Sequence, residues 1–245
     1  MSIKAVIFDK DGTLMDFESF WVTVSEYAID EILKRTRCTT VTREAVLKSL
    51  DVENGIANIN GILAQAPFPV MGRAIRDCLL GGGCTLTESE ITATTIDAYH
   101  GNTDKGVVSP ACEDIEGVLK GLKQKGMRLA VITTDDPVDT EFCLNKLGVY
   151  GLFDEIYTDD GVLPPKPDPF CLKLFAEKYG LEKDEILMVG DTLNDVRFAE
   201  NSGIRVVGVA KALQNRAILE EHIDVVVDDI SFIPDIVSKI NDGAL

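Results

Sequence analysis

The chain has 245 residues, 45% of them hydrophobic and 27% charged, a make-up that excludes a disordered or low-complexity polypeptide and leaves room for one large domain or two small ones. Its 24 basic and 41 acidic residues give a formal charge of −17, which repels nucleic-acid phosphates, so no nucleic-acid partner is expected. The same field opposes a small anionic substrate, and any phosphate site must therefore carry local positive charge from a metal, a lysine or backbone N–H groups.

The first apolar run, residues 5–8, stops at Asp9, so no signal-length apolar segment opens the chain. No stretch approaches the roughly 18–20 apolar residues of a membrane span. The six cysteines are scattered without a CxxC pair, and only two histidines, His100 and His222, accompany them. Free thiols and a cytoplasmic setting are expected, with no membrane association.

Taken in chain order, residues 3–8 read as a buried strand that breaks into the loop Asp9-Lys10-Asp11-Gly12-Thr13. Residues 17–107 differ in character: no comparable β-branched run occurs, and segments around 19–36, 42–50, 70–80 and 87–100 read as helices. They are punctuated by Pro67, Pro69 and Gly81-Gly82-Gly83. Residues 16–18 and 107–110 are candidate hinges, which makes 17–107 a helical insert between 1–16 and 108–245. Beyond residue 112 the chain alternates. Ile115, Val118, Leu119 and Leu122 mark a helix stopped by Gly126, and a strand follows at 129–133. A helix around 138–147 precedes a strand at 155–157, and one around 168–179 precedes a strand at 186–189. Later strands fall at 206–209 and 225–227. This rhythm implies an α/β fold with a parallel sheet covered on both faces.

In such sheets ligands bind beyond the carboxyl ends of the strands. Four strand ends or following loops carry usable groups: Asp9 to Thr13, Thr133-Thr134, Lys166 within Pro164-Pro165-Lys166-Pro167-Asp168-Pro169, and Gly190-Asp191-Thr192-Leu193-Asn194-Asp195. Each alone has an ordinary alternative: an Asx turn, a helix cap, a solvated lysine, or acidic residues matched to a helix N-terminus. Their joint occurrence in this order, each after an expected strand, favours a site. Lys166 is the one basic residue flanked by prolines in a strand-to-helix loop. Lys10 is its rival, but strand alternation points it away from Asp9.

These four motifs resemble those of the haloacid dehalogenase-like hydrolases: DxDxT after the first strand, a Ser or Thr, a Lys, and an acidic GDxxxD. The insert matches the position of the helical cap in the phosphoglycolate phosphatase-like branch. The resemblance implies a Rossmann-like, doubly wound core and a Mg²⁺-dependent phosphatase acting on a small phosphorylated metabolite, phosphoglycolate-like or a sugar phosphate. It casts Asp9 as the nucleophile that forms an aspartyl phosphate and Asp11 as the general acid and base. Thr133, Thr134 and Lys166 would hold the phosphoryl oxygens. Asp9, Asp191 and the Asp11 main-chain carbonyl would ligate Mg²⁺, with Asp195 a direct or indirect helper. A phosphosugar mutase and a non-catalytic metabolite-binding module are the competing readings. Arg73 and Arg76 are candidate substrate contacts whose ordinary reading is a solvated helix face. Trp21 reads as packing, His100 and His222 receive no role, and either a monomer or a homodimer is compatible with the sequence.

Overall fold

The structure is a computed structural model and describes residues 2–245. Two compact units emerge among them, one formed by residues 2–16 with 108–245 and the other by 17–107. In chain order, strand β1 (Ala5–Phe8) opens the first unit. The second contains α1 (Thr23–Thr36), α2 (Arg43–Ser49), β2 (Val52–Glu53), β3 (Ile56–Ala57), α3 (Ile62–Gln65), α4 (Phe68–Leu80) and α5 (Glu88–Asn102). The first unit then resumes with α6 (Ile115–Gln124), β4 (Arg128–Ile132), α7 (Pro137–Lys146), β5 (Glu155–Tyr157), α8 (Phe170–Tyr179) and β6 (Ile186–Gly190). It ends with α9 (Leu193–Ser202), β7 (Arg205–Val209), α10 (Leu213–Glu220), β8 (Val226–Val227) and α11 (Ile233–Asn241).

Six strands of the first unit form one parallel sheet in the order β5-β4-β1-β6-β7-β8. The chain runs outward from β1 through β4 to β5, then returns to the other side of β1 at β6. The winding direction therefore reverses beside β1, and the crevice at its carboxyl end is where such sheets place their ligands. Ala5 to Phe8 are wholly buried, as a central strand covered on both faces requires.

Alternation divides the strand residues between two cores. Val6, Phe8, Leu129, Val131, Leu187 and Val189 face one side, against Ile115, Leu119 and Leu122 of α6 and Ile233, Ile236 and Val237 of α11. Ala5, Ile7, Ala130, Ile132, Ile186 and Met188 face the other, against Leu172 and Phe175 of α8 and Phe198 and Ala199 of α9. Each fully buried Val, Leu, Ile or Phe contributes about 1.5–3 kcal/mol, so these layers hold the strand ends rigidly in register. That rigidity is what a site built from several strand ends needs.

The second unit is mostly helical, with one correction to the sequence reading: β2 and β3 pair as a small antiparallel hairpin. The helix expected from residue 19 opens with a π-helical turn, Glu18–Val22, before α1 begins. Ile29 and Ile32 of α1, Ile75 and Leu79 of α4, and Ile91 and Tyr99 of α5 are buried. Tyr99 donates to Ser25 Oγ at 2.9 Å, and Ser25 donates to the Trp21 carbonyl at 2.7 Å. Trp21 is thus part of the packing of this unit. Gly72 of α4 lets the helices approach, since a Cβ there would stand 3.0 Å from the Thr92 backbone.

All six cysteines are free thiols. No helix among the described residues is long and apolar enough to cross a membrane.

Candidate active site

Asp9 is the first residue beyond β1, and its N–H still donates to the Val189 carbonyl of β6 at 2.9 Å. The chain then turns back on itself. Leu14 and Met15 donate to the Lys10 carbonyl, and Gly12 donates to Met15. Gly12 has φ +77°, and a Cβ at this position would fall 2.1 Å from Asp191 Oδ2. Only glycine permits both the left-handed backbone and this approach to the loop after β6. Thr13, buried in the same turn, donates its hydroxyl to Asp191 Oδ1 at 3.1 Å.

Lys166 comes from the loop between β5 and α8. A turn closed by Asp168 N–H on the Pro165 carbonyl shapes this loop, and Asn201 of α9 donates to the Pro167 carbonyl at 2.9 Å. The Lys166 ammonium is buried and donates to Asp9 Oδ1 at 2.5 Å and to Asp195 Oδ1 at 2.6 Å. Asp195 Oδ2 accepts from the Thr192 N–H at 3.0 Å and the Thr192 hydroxyl at 2.9 Å, a capping box at the start of α9. Both Asp195 oxygens therefore have hydrogen-bond partners, and one of them contacts Lys166. Gly190 makes room for Asp195, because a Cβ there would lie 2.3 Å from the Asp195 carboxyl carbon.

Asp9, Asp191 and Asp195 present one carboxylate oxygen each within 4.8 Å of one another. Burial, with the charges of Asp195 and Asp11 against that of Lys166, pushes the Asp9 carboxyl up to about 7. Burial, joined by the charges of Asp9 and Asp195, raises Asp191 well above the carboxylate range. Burial opposes the charge of Lys166, but Asp195 and Asp9 outweigh it and hold the ammonium protonated. Two buried carboxylates and the half-buried Asp191 beside one lysine leave excess negative charge, which a divalent cation would relieve. Hard oxygen donors without histidine or cysteine in this trio fit a cation of the Mg²⁺ type and not zinc.

The remaining sequence candidates are distributed around this centre. Thr133 is buried at the end of β4, where its hydroxyl accepts from the Asp135 N–H at 3.2 Å, while Thr134 is exposed. The Asp11 side chain lies outside the acidic trio. Its Oδ1 accepts from Lys10 at 2.7 Å, although its charge still adds to the rise at Asp9. Arg76 donates to the Leu86 carbonyl at 2.8 Å, and Arg73 pairs loosely with Glu88 at 3.6 Å, both within the second unit.

Three residues were not assigned from sequence. Thr13 and Thr192 stood in plain view inside the two motifs, and their hydroxyls position carboxylates. Asp135 gave no signal, because its partnership with Lys10 at 2.9 Å arises only from the adjacency of β1 and β4.

Fold and site together define a doubly wound α/β protein whose candidate working groups stand at the carboxyl ends of adjacent parallel strands around a buried aspartate. The haloacid dehalogenase-like hydrolase family matches over residues 3–203, and the chain belongs to that family. It is 28% identical to the pyrophosphatase PpaX of Bacillus mycoides over 247 residues, spanning 98% of this chain and all of that one. Identity to the phosphoglycolate phosphatase of Haemophilus influenzae Rd is 30% over 198 residues, 75% of this chain and 87% of the relative. A crystal structure of a predicted phosphoglycolate phosphatase from Haemophilus somnus 129pt superposes with a TM-score of 0.71 at 24% identity, covering 96% of this chain and 98% of that one.

Proposed function

We propose that the protein is a Mg²⁺-dependent phosphatase that hydrolyses a small-metabolite phosphate monoester through an aspartyl phosphate on Asp9. The observation that carries this reading is the placement of Asp9: buried at the carboxyl end of the central strand, held by Lys166 at 2.5 Å and clustered with Asp191. A binding module has no need of a carboxylate held at such electrostatic cost.

Phosphate ester hydrolysis requires very large acceleration, supplied mainly by positioning and electrostatics. Asp9 attacks phosphorus while Asp11 donates a proton to the departing oxygen. Asp11 then takes a proton from the water that cleaves the aspartyl phosphate and releases inorganic phosphate. Lys166 and Thr133 hold the equatorial oxygens, and Asp195 with Thr192 keeps Lys166 in place. Asp9, Asp191 and the Asp11 carbonyl would hold Mg²⁺, which when bound supplies the charge that cancels repulsion between the carboxylate and the phosphate. The helical insert corresponds in chain position to the cap of the phosphoglycolate phosphatase-like branch, and to its residues we assign the choice of substrate.

Phosphoglycolate-like acids and sugar phosphates are the first substrates to try. Pyrophosphate is a second reading, favoured by the name of the Bacillus relative that matches along nearly the whole chain. A panel of phosphate esters and pyrophosphate, assayed with Mg²⁺ and then with chelator, tests the proposal. Metal-dependent phosphate release supports it. Isomerised sugar phosphate without phosphate release identifies a mutase, and no turnover of any compound leaves a binder.

A further inference from the structure

The buried lysines divide the acids of the site between them. Lys166 takes Asp9 and Asp195. Lys10, wholly buried and lying between the two motif aspartates, takes two more: its ammonium donates to Asp11 Oδ1 at 2.7 Å and pairs with Asp135 Oδ2 at 2.9 Å. Met15 Sδ stands 3.9 Å from the same nitrogen, on the return of the turn. Sequence alternation gives Lys10 only a direction away from Asp9. It does not show what waits there.

We infer that Lys10 and Asp135 form a positioning pair that fixes the Asp11 carboxyl for proton transfer to the leaving group. This rests on the phosphatase reading of Asp9 and Asp11 given above. An aspartate on a turn can rotate about two side-chain torsions, and general acid–base catalysis needs its oxygen within hydrogen-bond reach of the departing atom. Lys10 restrains one Asp11 oxygen. Asp135, whose Oδ1 accepts from the Asp136 N–H at 2.9 Å where β4 gives way to α7, restrains Lys10 in turn. The ordinary alternative is that this pair only satisfies buried charge in the core, where removing one partner is costly whatever the chemistry.

The two roles separate in their dependence on the leaving group. A general acid matters most when the departing oxygen is strongly basic and little when it leaves readily as an anion. Values of kcat/KM, which report the first chemical step, are compared for 4-nitrophenyl phosphate and phenyl phosphate with Mg²⁺ present. In Lys10→Met, phenyl phosphate should lose at least about tenfold more activity than 4-nitrophenyl phosphate, part of the roughly 10²–10⁴-fold that general acids contribute. Asp11→Ala sets the limit of that effect.

Because a lone Asp135 left buried could unfold the protein, the double variant Lys10→Met, Asp135→Leu is measured alongside, since an apolar pair of similar size is tolerated in place of a buried ion pair. It should fold, as judged by circular dichroism, and retain the steepened leaving-group dependence. Equal losses on both esters, or restoration of the parental ratio in the double variant, would overturn the inference. An active parent with an inactive Asp9→Asn variant and an unmoved ratio removes the positioning role alone. An Asp9→Asn protein that still turns over both esters at the parental rate removes the phosphatase reading beneath it.

Discussion

Gly12 joins the turn that follows Asp9 to the acidic loop after β6, and Gly12→Ala tests that junction quantitatively. An alanine Cβ would lie 2.1 Å from Asp191 Oδ2 and 2.5 Å from its Cγ. Ordinary contact is about 3.5 Å, so Asp191 or the turn must shift by more than about 1 Å. Alanine must also adopt φ near +77°, a left-handed conformation that costs about 1–2 kcal/mol. In a protein of this size each kcal/mol lowers the melting temperature by about 2–4 °C, giving an expected loss of about 2–8 °C. Displacing a positioned group by about 1 Å can cost on the order of 10²-fold in rate, which is the expected fall in kcat/KM at saturating Mg²⁺. Gly126 supplies the control: its φ is +81°, but nothing lies within 4 Å of the missing Cβ. Gly126→Ala should melt lower by a similar amount and keep kcat/KM within about twofold, because it carries the backbone strain without the clash. Melting curves and steady-state kinetics on one phosphate ester decide the matter. If Gly12→Ala and Gly126→Ala lose stability alike and both remain active, the close packing of Gly12 on Asp191 is not what shapes the site.

Other outcomes follow from the charges. Lys166→Met leaves Asp9 and Asp195 without their buried partner and should cost about 3–5 kcal/mol of stability together with the activity; a folded, active variant by thermal melting and turnover would contradict its assignment. Asp191 is harder to ionise in the folded than in the unfolded chain, so it favours folding when protonated, and that contribution fades as pH rises through its raised folded value. Asp191→Asn should therefore raise the melting temperature of metal-free protein, by about 2–4 °C at pH 8 if the relief is near 1 kcal/mol, and by less at pH 5. A larger gain in acid would reverse the argument. Since the Asp9 carboxyl is pushed up to about 7 in the metal-free site, Mg²⁺ must displace a proton below that pH. Calorimetric titration should show weaker binding with proton release at pH 6 and tighter binding at pH 8, and an affinity independent of pH would refute it.

The sheet and the four motif loops were legible in the sequence for a physical reason. A strand buried on both faces must be a nearly continuous apolar run, as 5–8 and 186–189 are, and such a run ends abruptly where the chain meets the site. Lys166 stood out because its prolines mark a constrained loop. The β2–β3 hairpin escaped notice because two-residue strands are too short to show alternation. The Lys10–Asp135 pair escaped because it joins residues far apart in the chain that meet only when β4 lies beside β1. Likewise, the contact of Asp195 with Lys166 is visible only in the folded chain, since it joins two loops that spacing alone does not bring together.

The central claim is that a phosphoryl group passes through the carboxylate of Asp9, and rapid quenching tests it most directly. Protein mixed with a turned-over ester and Mg²⁺, stopped in acid within the first turnover and digested, should yield a hydroxylamine-labile phosphoryl group on the peptide carrying Asp9, and none from Asp9→Asn. Full catalytic turnover with that peptide unmodified at every quench time, or a phosphoryl group found on another residue, would contradict the account.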